Sequence, residues 1–241
     1  PLWRPEPERA AQTQIARFAQ AFGFEGPDAV RQLWQRSVDD PSTFWRAVWE
    51  LGEIRAGVQP DAVIENGDAM PGARWFPGAR LNFAENLLRR DDEGDAIVFR
   101  GEDGSRRVLS WAALQAQVRG LAAALRAEGI GVGDRVAGFV PNIPEAVIGM
   151  LATASIGAVW SSCSPDFGTR GVLDRFGQIE PKVLITVDGY RYAGKAIDIP
   201  PKVAEIRAAL PSLLRTVVVP FLGGGAVMEG CSAWAAYLPP E

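Results

Sequence analysis

The densest set of chemistry-bearing side chains in this sequence is Asp188-Gly189-Tyr190-Arg191-Tyr192-Ala193-Gly194-Lys195, which joins two cations and two aromatics to permissive glycines. Arg191 and Lys195 can hold phosphate oxygens while Tyr190 or Tyr192 stacks on a base. An ordinary exposed turn draws on the same Asp and Gly types, so local sequence leaves both readings open. A second stretch, Trp160-Ser161-Ser162-Cys163-Ser164-Pro165-Asp166-Phe167-Gly168, offers Trp160 and Asp166 as pocket-lining residues. A buried tryptophan and a helix-capping aspartate account for that pair without any ligand.

Other chemistries are excluded by what the chain lacks. There is no histidine among its 241 residues, so Ser-His-Asp and Cys-His arrangements, His-ligated metals and an imidazole base are all ruled out within it. No nucleophile elbow, C-x-x-C pair or spaced carboxylate set appears, so neither a metal site nor a catalytic residue is assigned to this chain. Gly129-Ile130-Gly131-Val132-Gly133 imitates part of a dinucleotide fingerprint, but the sixth position is Asp134 and the run precedes a strand where it should follow one. It reads as a helix stop and tight turn. Gly223-Gly224-Gly225 lacks the following Gly-Lys-Ser/Thr of a phosphate loop and reads as a flexible loop.

Charge and apolar runs exclude two kinds of partner. With 25 basic and 29 acidic residues the net charge is -4, and no basic stripe marks a nucleic-acid surface. The longest apolar stretch, 146–160, is too short for a bilayer and carries Thr153 and Ser155, so it reads as a buried helix running into a strand. Cys163 and Cys231 read as free, buried thiols, and Asp91-Asp92-Glu93 as a solvated boundary.

The elements that must position the 188–195 segment follow from periodicity. Pro7-Glu8-Arg9 opens a helix carrying Ile15, Phe18, Ala19 and Phe22 up to Gly23. A second helix carries Val30, Leu33, Trp34 and Val38, and a third, after Asp40-Pro41-Ser42, places Trp45 and Trp49 on one buried face. A long loop at 57–80 and a short helix at 81–90 complete a helical and loop region, 1–94. From 95 to 241 the pattern changes. A hairpin at 96–100 and 107–110 turns around Glu102-Asp103-Gly104, and a helix follows at 111–128. Strands at 135–140, 158–161, 183–187 and 216–219 alternate with helices at 143–154, 170–178 and 203–210. The fold class is therefore α/β: an N-terminal helical cap, then a mostly parallel doubly wound sheet whose ligands collect beyond the carboxyl ends of its strands, where 188–195 lies.

Several longer strings carry more than local pattern. Trp75-Phe76-Pro77-Gly78-Ala79-Arg80-Leu81-Asn82, Val140-Pro141-Asn142-Ile143-Pro144-Glu145, Ser161-Ser162-Cys163-Ser164-Pro165-Asp166-Phe167-Gly168 and the 188–195 segment closely resemble the acetoacetate–CoA ligases, a branch of the adenylate-forming superfamily that also holds the acetyl-CoA synthetases. The resemblance runs across essentially the whole chain, from the N-terminal cap through the first α/β subdomain. It implies a two-step reaction: acetoacetate attacks ATP to give an acyl-adenylate and pyrophosphate, then the CoA thiol displaces AMP. Mg²⁺ would accompany ATP, and the compartment would be cytoplasmic.

By position, Tyr192-Ala193-Gly194-Lys195 matches the loop that holds the nucleotide part of CoA through arginines in acetyl-CoA synthetases. Here Tyr192 and Lys195 stand in for those arginines, with Arg191 beside them, so the implied CoA-binding set is Arg191, Tyr192, Ala193, Gly194 and Lys195. Lysine keeps the charge and loses the bidentate fork. The family's ATP phosphate loop, adenine and ribose motifs, hinge and catalytic lysine come later than Glu241. The expectation is thus an N-terminal portion, lacking upstream residues before Pro1, that needs the C-terminal part of the same enzyme and requires no cofactor by itself. A stand-alone nucleotide- or CoA-binding or interaction module, or a ligase for another short acid, are the alternatives.

Overall fold

The computed structural model describes residues 2–223 and 228–238. Gly224, Gly225 and the last three positions, 239–241, lie outside the described residues. The chain divides into two compact units, Pro1–Leu81 and Asn82–Glu241.

The first unit is helical, with α1 (Pro7–Ala11), α2 (Gln14–Ala21), α3 (Ala29–Asp39) and α4 (Pro41–Leu51). The single helix expected from Pro7 to Phe22 is broken at Thr13, whose hydroxyl accepts the Ala16 N–H and starts a new helix. A side chain that competes for backbone donors outweighs the apolar periodicity there. Gly23, at φ 78°, then ends α2. The core of this unit is small: Phe18, Ala19, Ala29 and Leu33, with Phe22, Phe24 and Phe44 packed around them.

Two apolar expectations fail in this unit. Val30, Trp34 and Val38 share the exposed side of α3 and are 52%, 61% and 58% exposed, because Ala29 and Leu33 are the positions that meet α2. Trp45 and Trp49 do not enter a core either, since α4 has no buried residue. Their rings pack on the 57–80 segment, Trp45 on Trp75 at 5.6 Å and Trp49 on Phe76 at 4.6 Å. That contact orders a stretch expected to be loop, where β1 (Ile64–Glu65) and β2 (Arg74–Trp75) pair antiparallel and Arg74 meets Glu65 at 3.0 Å.

The second unit begins with α5 (Phe83–Leu87), β3 (Asp95–Arg100), β4 (Arg106–Ser110) and α6 (Trp111–Ala127). It continues through β5 (Arg135–Phe139), α7 (Pro144–Ser155), β6 (Val159–Cys163), α8 (Thr169–Ile179) and β7 (Val183–Val187). Then come β8 (Gly189–Tyr192), β9 (Lys195–Asp198), α9 (Pro200–Ala209), β10 (Arg215–Val219), β11 (Ser232–Ala233) and α10 (Trp234–Tyr237).

Five strands form one parallel sheet in the order β11-β10-β7-β5-β6. Every residue of β7 is buried, as a central strand covered on both faces requires. Helix α6 starts where the Ser110 hydroxyl accepts the Ala113 N–H, and it buries Leu114, Val118, Leu121 and Leu125 as its spacing predicts. It stops at the glycine run: Ile130 N–H reaches back to the Leu125 carbonyl and Gly129 N–H to that of Arg126, with Gly129 at φ 77°. This is a helix stop of the Schellman type. The apolar stretch 146–160 is the buried helix α7 leading into β6, and no helix among the described residues is long and apolar enough to cross a membrane.

Candidate functional site

In the sheet order β5 lies between β6 and β7, so the chain leaves β5 toward one edge and returns past it to build the other. The crevice at the carboxyl ends of β5 and β7 is where an open α/β sheet binds its ligands. The Thr186 hydroxyl on β7 donates to the Phe139 carbonyl on β5 at 3.1 Å and ties these two ends together. Lys202, in the first turn of α9, donates to the carbonyls of Pro165 and Phe167 at 2.9 and 3.1 Å and fixes the segment that follows β6.

The segment after β7 is built from the strand outward. Asp188 accepts backbone N–H groups of Phe221 at 2.7 Å and Leu222 at 2.8 Å, which ties it to the chain leaving β10. Gly189 admits no side chain, since an added Cβ would sit against Leu222 and 2.6 Å from the Ile197 carbonyl. Beyond this base the segment expected as a loop is a hairpin, β8 with β9, in which Tyr192 faces Lys195 across a two-residue turn. Both turn residues have positive φ, Ala193 at 49° and Gly194 at 75°, the signature of a type I′ turn. An alanine in place of the usual Asn hides that turn from sequence reasoning.

Of the candidate residues, Arg191, Tyr192, Ala193, Gly194 and Lys195 all stand at the outer half of this hairpin and are exposed. Tyr190 does not join them. It is buried against the main core at 9% exposure, and burial, with Asp166 and Tyr192 adding to it, pushes its phenol pKa up. Tyr192, 62% exposed, is therefore the tyrosine of the pair whose ring is accessible.

A second hairpin meets this tip. Asp103, in the turn between β3 and β4, pairs with Arg191 at 3.1 Å, and Glu102 accepts the Gly194 N–H at 3.3 Å. The β3–β4 hairpin is itself anchored. Arg107 on β4 makes two hydrogen bonds to Glu145, at 2.6 and 2.9 Å, and its guanidinium lies 5.1 Å from the Phe99 ring. Glu145 is buried and sits in the first turn of α7, where the helix dipole favours a carboxylate. Phe99 in turn meets Phe221 edge-on at 6.2 Å.

Trp160 and Asp166 have other surroundings. Trp160 is half-buried on β6, with its ring over Gly138 and Gly149, where added Cβ atoms would lie 2.5 and 2.8 Å from it. Asp166 is exposed in the segment after β6 and does not cap α8, because the cap position is Gly168 and no side chain bonds there. Sequence reasoning missed Glu102, Asp103, Arg107, Glu145 and Lys202 as parts of this region. Their partners lie tens of positions away, 92 in the case of Glu102 and Gly194, and no local spacing announces them. No group of three or more metal-capable Cys, Asp or Glu side chains occurs among the described residues.

The fold and these strings have clear relatives. The model for the AMP-binding enzyme family matches residues 85–235, and that for the acetyl-coenzyme A synthetase N-terminus matches residues 30–87. The chain thus belongs to the AMP-binding enzyme family. It is 49% identical over 95% of its length to the acetoacetyl-coenzyme A synthetase of Rhizobium meliloti, covering 35% of that protein. The solved structure of acetoacetyl-CoA synthetase from Streptomyces lividans superimposes on the whole chain with a TM-score of 0.91 at 46% identity, and the chain covers 38% of it. A malonamoyl-CoA synthetase of Penicillium aethiopicum is 39% identical over 92% of the chain and 32% of its own length. The chain spans about a third of the length of the curated relatives it matches.

Proposed function

We propose that this polypeptide supplies the N-terminal third of an AMP-forming acid–CoA ligase acting on acetoacetate, and that the β8–β9 hairpin holds the nucleotide end of CoA. The single observation that carries the reading is 49% identity over 95% of the chain to a protein named acetoacetyl-coenzyme A synthetase. The donor set fits the coenzyme: a guanidinium at Arg191, an ammonium at Lys195, the Gly194 N–H and an exposed Tyr192 ring suit phosphate oxygens beside a purine. ATP and Mg²⁺ belong to the same reading through the family. Their binding residues, and the group that acts on the acid, are assigned to the remaining length of the enzyme. A cytoplasmic location is part of the same proposed reading.

A second acid has one observation in its favour, the 39% identity to a malonamoyl-CoA synthetase. Both readings are tested by splicing residues 1–241 to the remaining two thirds of the Rhizobium meliloti protein and measuring pyrophosphate release with ATP, Mg²⁺, CoA and acetoacetate, malonamate or acetate. Release is expected with acetoacetate from the spliced enzyme and none from the 241-residue chain alone. Turnover by the chain alone, or a preference for malonamate, would overturn the reading.

A further inference from the structure

The tip of the β8–β9 hairpin carries its own anions. Asp103 is held in place from its own turn, its Oδ1 accepting the Ser105 N–H at 3.0 Å while Oδ2 pairs with the Nε of Arg191 at 3.1 Å. Glu102, its neighbour, occupies the Gly194 N–H at 3.3 Å. These are two of the donors that a phosphate would use. The carboxylates are pre-positioned because their hairpin is fastened close to the turn, at the second residue of β4, by the Arg107–Glu145 pair.

We infer that the Glu102-Asp103 turn is a built-in competitor for the phosphate of the coenzyme: it neutralises Arg191 and must be displaced when a nucleotide phosphate arrives. The inference rests on the reading of the hairpin as the coenzyme site. A preformed carboxylate lets an exposed arginine keep a fixed geometry without ligand, at the cost of some affinity. An exposed pair of this kind is weak, so the expected effect is small: neutralising Asp103 tightens anion binding about threefold.

The test is calorimetric titration of CoA into the 241-residue chain and its variants at low salt. Asp103→Asn is expected to tighten CoA about threefold with an unchanged thermal midpoint. In an Arg191→Ala background the same substitution is expected to have no effect, since Asp103 acts through Arg191. Asp198→Asn, the loss of an exposed carboxylate at the foot of the same hairpin, should change affinity less than Asp103→Asn.

Weaker or unchanged binding by Asp103→Asn would overturn the inference, as would equal tightening in the Arg191→Ala background, which would mark a diffuse charge effect. Failure of the underlying reading has a different appearance. CoA affinity would be undetectable in the parent chain or indifferent to Arg191→Ala, and both proposals would then fall together.

Discussion

At the residue scale, the hairpin depends on what stands at its base. Asp188 satisfies two backbone donors of the chain leaving β10, so Asp188→Ala should cost about 2 kcal/mol in urea unfolding, and Asp188→Asn, which keeps an acceptor oxygen, distinctly less. Gly189→Ala forces a methyl group against Leu222 and the Ile197 carbonyl and should cost about 1–3 kcal/mol. An acid-dependent contribution lies at the opposite end of the sheet. Lys182, hydrogen-bonded to Asp134 at 2.6 Å, holds that carboxyl below the usual carboxylate range, with the Gly131 N–H assisting. The folded pKa is the lower one, so the contribution is complete above the unfolded value of about 3.9 and is lost as pH falls through the folded value. Urea midpoints of Asp134→Asn should therefore decline less than those of the parent chain as pH drops below about 4. An acid limb equally steep in both would contradict this.

At the scale of elements, the legible parts were those whose signal is local. β7 is buried along its whole length and α6 keeps its apolar face, because uninterrupted runs and regular spacing dominate there. The β8–β9 hairpin gives no hairpin signal in the sequence because Ala193 occupies a left-handed position that sequence rules reserve for Asn or Gly. Replacing Ala193 with Asn should relieve that strain and stabilise the chain by about 0.5–1 kcal/mol, seen as a higher urea midpoint. The aromatic pairs Trp45–Trp75 and Trp49–Phe76 were illegible for a different reason. Helical spacing states that two tryptophans share a face but not whether a core or an ordered loop covers them. The link between hairpin and helix is open to the same kind of test. Arg107→Met leaves the buried Glu145 without its cation and should destabilise the second unit by about 2 kcal/mol or more.

At the scale of the whole molecule, family and fold were legible, and the site only in part. The strings that carried the resemblance turn out to hold structural posts as well as exposed positions: Glu145 anchors the β3–β4 hairpin, and Asp188 and Gly189 form the base of β8–β9. Resemblance marks such positions without separating the two roles, and only the geometry shows that Tyr190 packs inward while Arg191 and Tyr192 face out. The opposing acidic turn had no sequence signal at all, because Glu102 and Asp103 also read as an ordinary hairpin turn. The absence of histidine, informative for this chain, sets no bound on groups supplied by the other two thirds of its relatives' length.

The central claim, that the outer half of the β8–β9 hairpin receives CoA, is tested most directly by amide hydrogen exchange of the chain with and without saturating CoA. The account predicts slowed exchange across 190–196, with the 102–105 turn changing alongside it. Protection confined to other parts of the chain, with 190–196 exchanging at the ligand-free rate, would contradict it.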